Sequence, residues 1–126
     1  MANFMIQKAK GREGSTVYKY DVGGHYECVP TRLFDKDGGG ANAIDGAKMI
    51  MGITYFVPGG STDFANNPME SIYYILEGQM LLKTEDGKET QLNKGDSFHC
   101  VGGVNKSVCN NGDTVTQMLV VLLPPA

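Results

Sequence analysis

The sequence predicts an all-β fold, a sandwich or barrel built from many short strands. The chain has 126 residues, enough for one domain with one core, and 17 of them are glycine. Apolar and polar residues alternate in short runs, and no stretch repeats apolar residues at the 3.6-residue period of an amphipathic helix. With 41% hydrophobic and 20% charged residues, the composition is that of an ordinary globular domain.

Glycine-containing turns separate the runs, and each run is predicted to be a strand. Glycine accepts the positive φ that tight hairpin turns require, as in Glu77-Gly78 and Asp86-Gly87. The glycine-rich segment Asp35–Ala47 lacks the Gly-Lys-Ser/Thr of a phosphate-binding loop, so we predict a mobile loop or long hairpin connection there. The predicted strands are Phe4–Ala9, Thr16–Val22, Glu27–Phe34, Lys48–Val57, Ser71–Leu76, Gln79–Thr84, Glu89–Leu92, Ser97–Val101, Lys106–Cys109 and Val115–Leu123.

Charge and hydropathy argue against two classes of partner. The formal net charge is −3, with 11 basic and 14 acidic residues and no basic cluster, so nucleic acid is not an expected partner. No apolar run approaches the roughly 20 residues that span a bilayer, and the start of the chain does not read as a signal peptide. We therefore expect a cytoplasmic protein with no membrane partner.

The cysteines do not suggest a framework of disulfides. The chain has three cysteines, an odd number, and none are spaced as the C-x-x-C of zinc sites: Cys28, Cys100 and Cys109. They are predicted to be reduced thiols that pack as small apolar side chains.

Two segments carry a spacing of glycines that is found in a known superfamily. Gly59 and Gly78 enclose the first segment, which ends in Ile-Tyr-Tyr-Ile-Leu-Glu-Gly, and Gly95, Gly103 and Asn110 mark the second. These segments, 58–78 and 95–110, resemble the two motifs of the cupin superfamily. The resemblance implies one cupin-type jelly-roll β-barrel over residues 1–126, with residues 1–57 serving dimer formation and barrel closure.

The resemblance also locates the place where most cupins bind a metal. Two histidines and a glutamate of the first motif and a histidine of the second hold one divalent ion, and those positions are here Ala65, Asn67, Ser71 and Lys106. Alanine has no donor atom, asparagine and serine are weak neutral ligands, and lysine brings a positive charge. We therefore expect no metal and no other cofactor.

Strand alternation then predicts which side chains face the barrel interior. Because the Ser71 position faces inward in the family, Tyr73 should share that face, and Lys106 and Val108 should also point inward. A lysine among apolar walls loses solvation, which lowers its pKa, so Lys106 is a candidate general base, Schiff-base nucleophile or anion anchor. The alternative is that its ammonium reaches water at the barrel mouth.

The two histidines are weaker candidates. If His99 faces the interior, its imidazole can move a proton; the alternative is a histidine hydrogen-bonded within the sheet. His25 follows Gly23-Gly24 and is interpreted as a turn residue, with capping of the pocket as the less favoured alternative.

These residues lead to one principal hypothesis and two alternatives. The principal one is a metal-free cupin barrel that binds a small organic molecule and acts as an acid/base isomerase, cyclase or lyase. Catalysis would use Lys106, His99 and Tyr73, while Asn67 and Ser71 orient the ligand and Ala65 leaves room for it. A non-enzymatic sensor or carrier, and a structural partner subunit, remain open. The resemblance further implies a homodimer formed through 4–22 and 118–123.

Overall fold

The computed structural model describes residues 4–8, 18–19, 24–40 and 42–125. Within these ranges the secondary structure is entirely β, as the sequence predicts. The strands are β1 (Tyr18–Lys19), β2 (His25–Arg32), β3 (Ile50–Thr62), β4 (Glu70–Glu77), β5 (Gln79–Thr84), β6 (Glu89–Asn93), β7 (Ser97–Cys100), β8 (Lys106–Cys109) and β9 (Thr116–Leu123).

The strands form one antiparallel sheet that curls into a nearly closed barrel. Its hydrogen-bonded order is β6-β5-β8-β3-β9-β4-β7, with β2 added to β3 and β1 added to β2. Strand β9 lies between β3 and β4, which are consecutive in the chain. This crossover is what brings the inner faces of β2, β3, β4, β8 and β9 around one interior space.

Strand β3 is the longest element and joins the two sides of the barrel. Its first half pairs with β9 from Ile50 to Phe56, and its second half reaches β8 at Ser61. Gly52 lies where β2 crosses most closely, because a β-carbon on Gly52 would collide with the carbonyl oxygen of Thr31. A side chain at this position would therefore force β2 and β3 apart.

The turn after β4 requires glycine at position 78, one of the motif positions. Gly78 has a φ of 84°, and a β-carbon there would lie 2.5 Å from Thr116 Oγ1. The same hydroxyl accepts the Gln79 amide at 3.1 Å and donates to the Gln79 carbonyl at 2.6 Å. Two hydrogen bonds thus link the turn to the first residue of β9.

The core fills one end of the barrel. Phe56 and Ile75 are fully buried, and the remaining members of the cluster come from β5, β6, β8 and β9: Met80, Leu82, Leu92, Val108 and Met118. Tyr73, Phe98, Val120 and Cys28 pack against it from the side of the interior space. All three cysteines are free, and burial raises the pKa of the Cys28 thiol.

The observed strands agree with the predicted ones from β4 onward to within one residue at each end. Three predictions need correction. The predicted strand Glu27–Phe34 lies two residues too far along the chain, because β2 runs from His25 to Arg32. Residues 4–8 of the predicted strand Phe4–Ala9 are not a strand; instead, the Gln7 side-chain amide donates to the Leu33 carbonyl at 3.2 Å. The predicted strand Lys48–Val57 begins later and continues through Pro58-Gly59-Gly60 to Thr62.

Other predictions are tested only in part. Of the predicted strand Thr16–Val22, only the β1 pair lies within the described residues. The segment Asp35–Ala47 connects β2 to its antiparallel neighbour β3, as a long hairpin connection should. No helix in the described ranges is long and apolar enough to cross a membrane. The cytoplasmic location and the absence of nucleic-acid partners stay predictions.

Candidate functional site

A cavity of about 550 Å³ opens into the barrel interior beside the core. Its deep walls are apolar side chains of β3, β8 and β9, and its outer part is polar. The apolar lining comprises Ile50, Phe56, Val108, Met118, Val120 and Leu122; the polar and charged lining includes His25, Arg32, Asp63, Asn66, Asn67, Tyr73 and Lys106. The cavity therefore combines apolar walls with several polar and charged side chains.

Lys106 lies in the cavity wall, as strand alternation predicts. Its backbone exchanges two 3.1 Å hydrogen bonds with Ala65, and Val108 on the same face is buried in the core. The Lys106 ammonium nitrogen lies 5.2 Å from the centroid of the Tyr73 ring, which is a cation–π contact. Among the described residues, the Lys106 side chain forms no ion pair and no hydrogen bond.

Tyr73 is held in place by a second aromatic ring. Tyr73 on β4 lies opposite Phe98 on β7, and the two rings stack with centroids 4.5 Å apart and an interplanar angle of 19°. Paired residues of antiparallel strands share one face of the sheet, so both rings point inward. This stack fixes the surface over which the Lys106 ammonium lies.

Asn67 and Ala65 also line the cavity, in the segment that leads from β3 to β4. Gly103 donates its amide to the Asn67 carbonyl at 2.9 Å, so this segment runs along the residues before β8. The Asn67 side chain accepts the Met69 amide through Oδ1 at 2.9 Å. The sequence-predicted residues Ala65, Asn67, Tyr73 and Lys106 are therefore brought together.

Ser71 faces inward but does not reach the cavity. It is 1% exposed, it is absent from the cavity lining, and its hydroxyl has no hydrogen-bond partner. Because Cys100 and Leu122 pair with Ser71 on the two sides, the hydroxyl is enclosed within the barrel wall. The structure therefore does not bring Ser71 into the cavity with the other predicted site residues, and its contact with a ligand stays a prediction.

His99 lies on the opposite face of the sheet, outside the cavity, so the condition for its proposed proton transfer inside the barrel is not met. The pairing of Tyr73 with Phe98 turns Phe98 inward, and alternation then turns His99 outward beside Ile72. Its Nε2 lies 2.6 Å from Glu70 Oε2 on the exposed surface. This hydrogen-bonded pair matches the alternative interpretation of His99.

Three polar residues of the cavity lie outside the predicted set of site residues, although capping of the pocket was an alternative for His25. His25 opens β2 and lines the cavity where a turn was expected, and Arg32 lines it from the far end of the same strand. Arg32 is ion-paired with the buried Asp35 at 3.2 Å. Alternation along β2 could have suggested Arg32, since Pro30 and Arg32 lie on the same face of the strand. The sequence does not show, however, that β2 pairs with β3, which is what directs this face to the cavity.

Asp63 is the third of these residues, and it lies at the exposed edge of the cavity. The Tyr26 phenol donates a 3.0 Å hydrogen bond to Asp63 Oδ2. This hydrogen bond, together with the negative charge of Asp63, raises the pKa of Tyr26 above 10.0. Asp63 is the only carboxylate among the described residues that line the cavity.

The four positions that hold the metal in other members of the superfamily do not form a donor set here. Ala65 and Ser71 offer no available strong donor, Asn67 already uses its oxygen for the Met69 amide, and Lys106 is cationic. Within the described ranges, no three His, Cys, Asp or Glu residues are grouped closely enough to hold a metal ion. The chemistry of these residues therefore does not fit a divalent ion at the usual place.

The family model described as the Cupin domain matches residues 52–122, more than half of the chain and all of the strands that enclose the core. The chain belongs to the cupin family. This agrees with the two motifs and with the nearly closed all-β barrel. This cupin differs from the metal-binding pattern at each of the four ligand positions.

Three similar proteins illustrate what is found on this fold. This cupin is 29% identical over 107 residues to a beta-D-galactosidase of Mycobacterium tuberculosis. The alignment covers 85% of this chain and 87% of that protein. The polyketide cyclase RemF from Streptomyces resistomycificus superposes with a TM-score of 0.74 at 22% identity, over 96% of this chain and 81% of that one. A predicted oxalate decarboxylase from Thermotoga maritima superposes with a TM-score of 0.71 at 23% identity, over 86% of this chain and 94% of that one. The two structural similarities concern the fold alone.

Proposed function

We propose that this cupin binds a small organic molecule in the barrel cavity and moves a proton on it without a metal ion. The observation that carries the proposal is the position of Lys106, whose ammonium lies over the Tyr73 ring in the cavity wall. A volume of about 550 Å³ lies within the range of small-molecule sites, as does the combination of apolar walls with a few polar groups.

The positive charge of Lys106 argues for metal independence. It occupies one of the four ligand positions of the superfamily, so a divalent cation there would be repelled at short range. The same charge is suited to stabilise an oxygen that becomes negative when a neighbouring C–H bond loses its proton. Lys106 thus takes over the electrostatic task that a metal ion performs elsewhere.

Proton transfer also requires a group that takes or gives the proton. Tyr73 and His25 line the same cavity and carry a phenol and an imidazole, which are both ordinary acid/base groups. His25 replaces His99, which lies outside the barrel. An isomerase, cyclase or lyase reaction fits this set, and a polyketide cyclase is among the proteins of the same fold.

Glycoside hydrolysis, suggested by the name of the mycobacterial relative, is less well supported. Most glycosidases place two carboxyl groups on either side of the scissile bond. Among the described lining residues the cavity offers Asp63 alone, and its oxygen already accepts the Tyr26 hydroxyl. We therefore expect no turnover of a chromogenic β-galactoside.

The decisive experiment is metal analysis combined with native mass spectrometry. The protein is purified without an affinity tag or added metal. We expect substoichiometric metal and an organic mass bound to the chain. One retained metal ion per chain would overturn the metal-independent proposal.

Two variants separate an enzyme from a carrier. If the protein is an enzyme, Tyr73→Phe removes the phenol, keeps the stacked ring and lowers turnover of the identified molecule while leaving its binding nearly unchanged. Phe98→Leu is the matched control, because it disturbs the ring stack without touching the phenol. A carrier would show binding and no turnover in every variant, and that result would refute the catalytic half of the proposal.

The homodimer was predicted to form through 4–22 and 118–123; we propose instead that it forms through the outer face of β3, β9 and β4, which keeps 118–123 but not 4–22. Ile72 and Tyr74 are 46% and 41% exposed there, and they lie opposite Val121 and Leu119 of β9. Next along the sheet are Met51 and Ile53 of β3. A contiguous apolar face of this kind is typical of protein–protein interfaces. The same apolar face on a second copy of the chain can pack against it and bury both faces.

A further inference from the structure

We propose that the ligand of this cavity is a small monocarboxylate with a flat apolar body, and that Lys106 pairs with its carboxylate. This inference rests on the proposed binding function and adds the chemical class of the ligand. It follows from three observations: the charges at the cavity, the hydrogen-bond capacity of Asn67 and the composition of the walls.

Among the described lining residues, two charged side chains lack an oppositely charged partner: the exposed carboxylate of Asp63 and the half-buried ammonium of Lys106. Arg32 already has the buried carboxylate of Asp35 as its partner at 3.2 Å. Asp63 is exposed and accepts the Tyr26 phenol. Lys106 is half-buried and, among the described residues, contacts only the Tyr73 ring with its ammonium.

A partly buried cation without a counter-charge is unfavourable, because desolvation costs free energy that a cation–π contact offsets only in part. A ligand carboxylate would restore the missing counter-charge. The Asp63 carboxylate is exposed and keeps its hydration, whereas Lys106 is half-buried, so the expected ligand carries one negative charge for Lys106.

Asn67 provides a second contact for the same carboxylate. Its Oδ1 is engaged by the Met69 amide at 2.9 Å, which leaves the Nδ2 hydrogens as donors. Asn67 lies in the segment that Ala65 joins to the backbone of Lys106. A carboxylate has two oxygens, so it can accept from Lys106 with one and from Asn67 with the other.

The walls determine the body of the ligand. The apolar part of the lining is formed by Ile50, Phe56, Val108, Met118, Val120 and Leu122. One face of the Tyr73 ring is covered by its stack on Phe98, and the Lys106 ammonium lies over the ring, 5.2 Å from its centroid. A planar apolar group fits against the apolar walls and meets the ring at its edge, in the edge-to-face arrangement that aromatic pairs also favour.

The test uses three naphthalene probes that share the ring system and carry one substituent of negative, neutral or positive charge: 2-naphthoate, 2-naphthalenemethanol and 2-naphthylmethylammonium. The chain has no tryptophan, so naphthalene fluorescence is measured without indole background. We expect the naphthoate to bind about 10- to 100-fold more tightly than the alcohol, which is the usual strength of one charge-assisted contact. The ammonium probe should bind most weakly.

Variants assign the effect to Lys106. Lys106→Met should lower naphthoate affinity by about the same factor and leave the alcohol unchanged, whereas Lys106→Arg should keep the preference for the anion. Lys83→Met is the control, because Lys83 is an exposed lysine on β5 that pairs with Glu89. Circular dichroism of each variant verifies the fold.

The outcomes distinguish this inference from the proposed function. Equal affinity for all three probes would overturn the monocarboxylate inference while supporting a binding cavity. A preference for the anion that survives Lys106→Met would overturn the assignment to Lys106. Failure of every probe to bind, with an organic mass still present in the native spectrum, would refute the flat apolar body. Failure of the probes together with an empty native spectrum would count against the binding function itself.

Discussion

The Lys106 ammonium lies 5.2 Å from the centre of the Tyr73 ring, and the Phe98 ring stacks against the same Tyr73 ring. Three residues from β8, β4 and β7 thereby form one unit at the edge of the cavity. The unit places a positive charge where the superfamily usually places a metal ion. It therefore gives a physical reason for treating this barrel as a site for anions.

Lys106→Met should stabilise the ligand-free protein. The substitution removes a half-buried cation without an anionic partner and keeps an unbranched side chain of similar length, so we expect the free energy of unfolding to rise by about 1 kcal/mol. Chemical denaturation measures this change. Lys83→Met, at an exposed ion pair of 3.5 Å, should change it by less than about 0.5 kcal/mol. A clear loss of stability in Lys106→Met would mean that the cation–π contact outweighs desolvation.

Asn110→Ala should be among the most destabilising polar substitutions. Asn110 is 1% exposed, and its side chain donates to the Phe56 and Thr114 carbonyls at 3.0 and 2.8 Å and accepts the Gly112 amide at 3.0 Å. Removing it leaves buried backbone groups unpaired, so we expect a loss of about 3 kcal/mol in denaturant unfolding. Asn111→Ala, at the exposed neighbouring position, is the control and should cost much less. Equal effects of the two would show that the buried network contributes little.

Ile72→Lys should dissociate the proposed dimer. A charge in the middle of the apolar outer face opposes its burial against a second copy, so light scattering after gel filtration should give the mass of one chain. Val115→Lys introduces the same charge at a residue that is 47% exposed and lies before β9, and it should leave the dimer intact. A monomeric parent protein would refute the dimer outright.

The Tyr26–Asp63 hydrogen bond predicts a dependence of stability on alkaline pH. Because the bond raises the pKa of Tyr26 above 10.0, the folded state keeps the phenol proton at a pH where the unfolded chain has lost it. This contribution is fully present below pH 10.0 and is lost as the pH rises through the pKa of the folded state. Asp63→Ala removes both the hydrogen bond and the charge and should bring the pKa of Tyr26 back towards 10.0, measured by NMR titration of the labelled ring. An unchanged titration would show that Asp63 is not the cause.

The part of the site that could be predicted is the part set by local alternation. Tyr73 and Lys106 were placed inward because residues two apart on a strand share a face, and the motif supplied one inward position on each strand. The four ligand positions were also readable from the sequence, and their residues alone argue against a metal ion there.

The remainder depends on which strands become neighbours. The face of His99 is decided by the pairing of Phe98 with Tyr73, and a shift of one residue in that register would have turned His99 inward. Arg32 and His25 reach the cavity because β2 pairs with β3. The extension of β3 through Pro58-Gly59-Gly60 was missed because proline and glycine usually end a strand.

The insertion of β9 between β3 and β4 has a consequence for synthesis on the ribosome. Ile50–Phe56 and Glu70–Glu77 are both made before their shared partner Thr116–Leu123. Until that segment emerges, each of the two strands has an open hydrogen-bonding edge, so the barrel closes only after most of the chain has been translated. During this interval the nascent chain is most exposed to mispairing, and chaperones that shield strand edges would have their greatest effect.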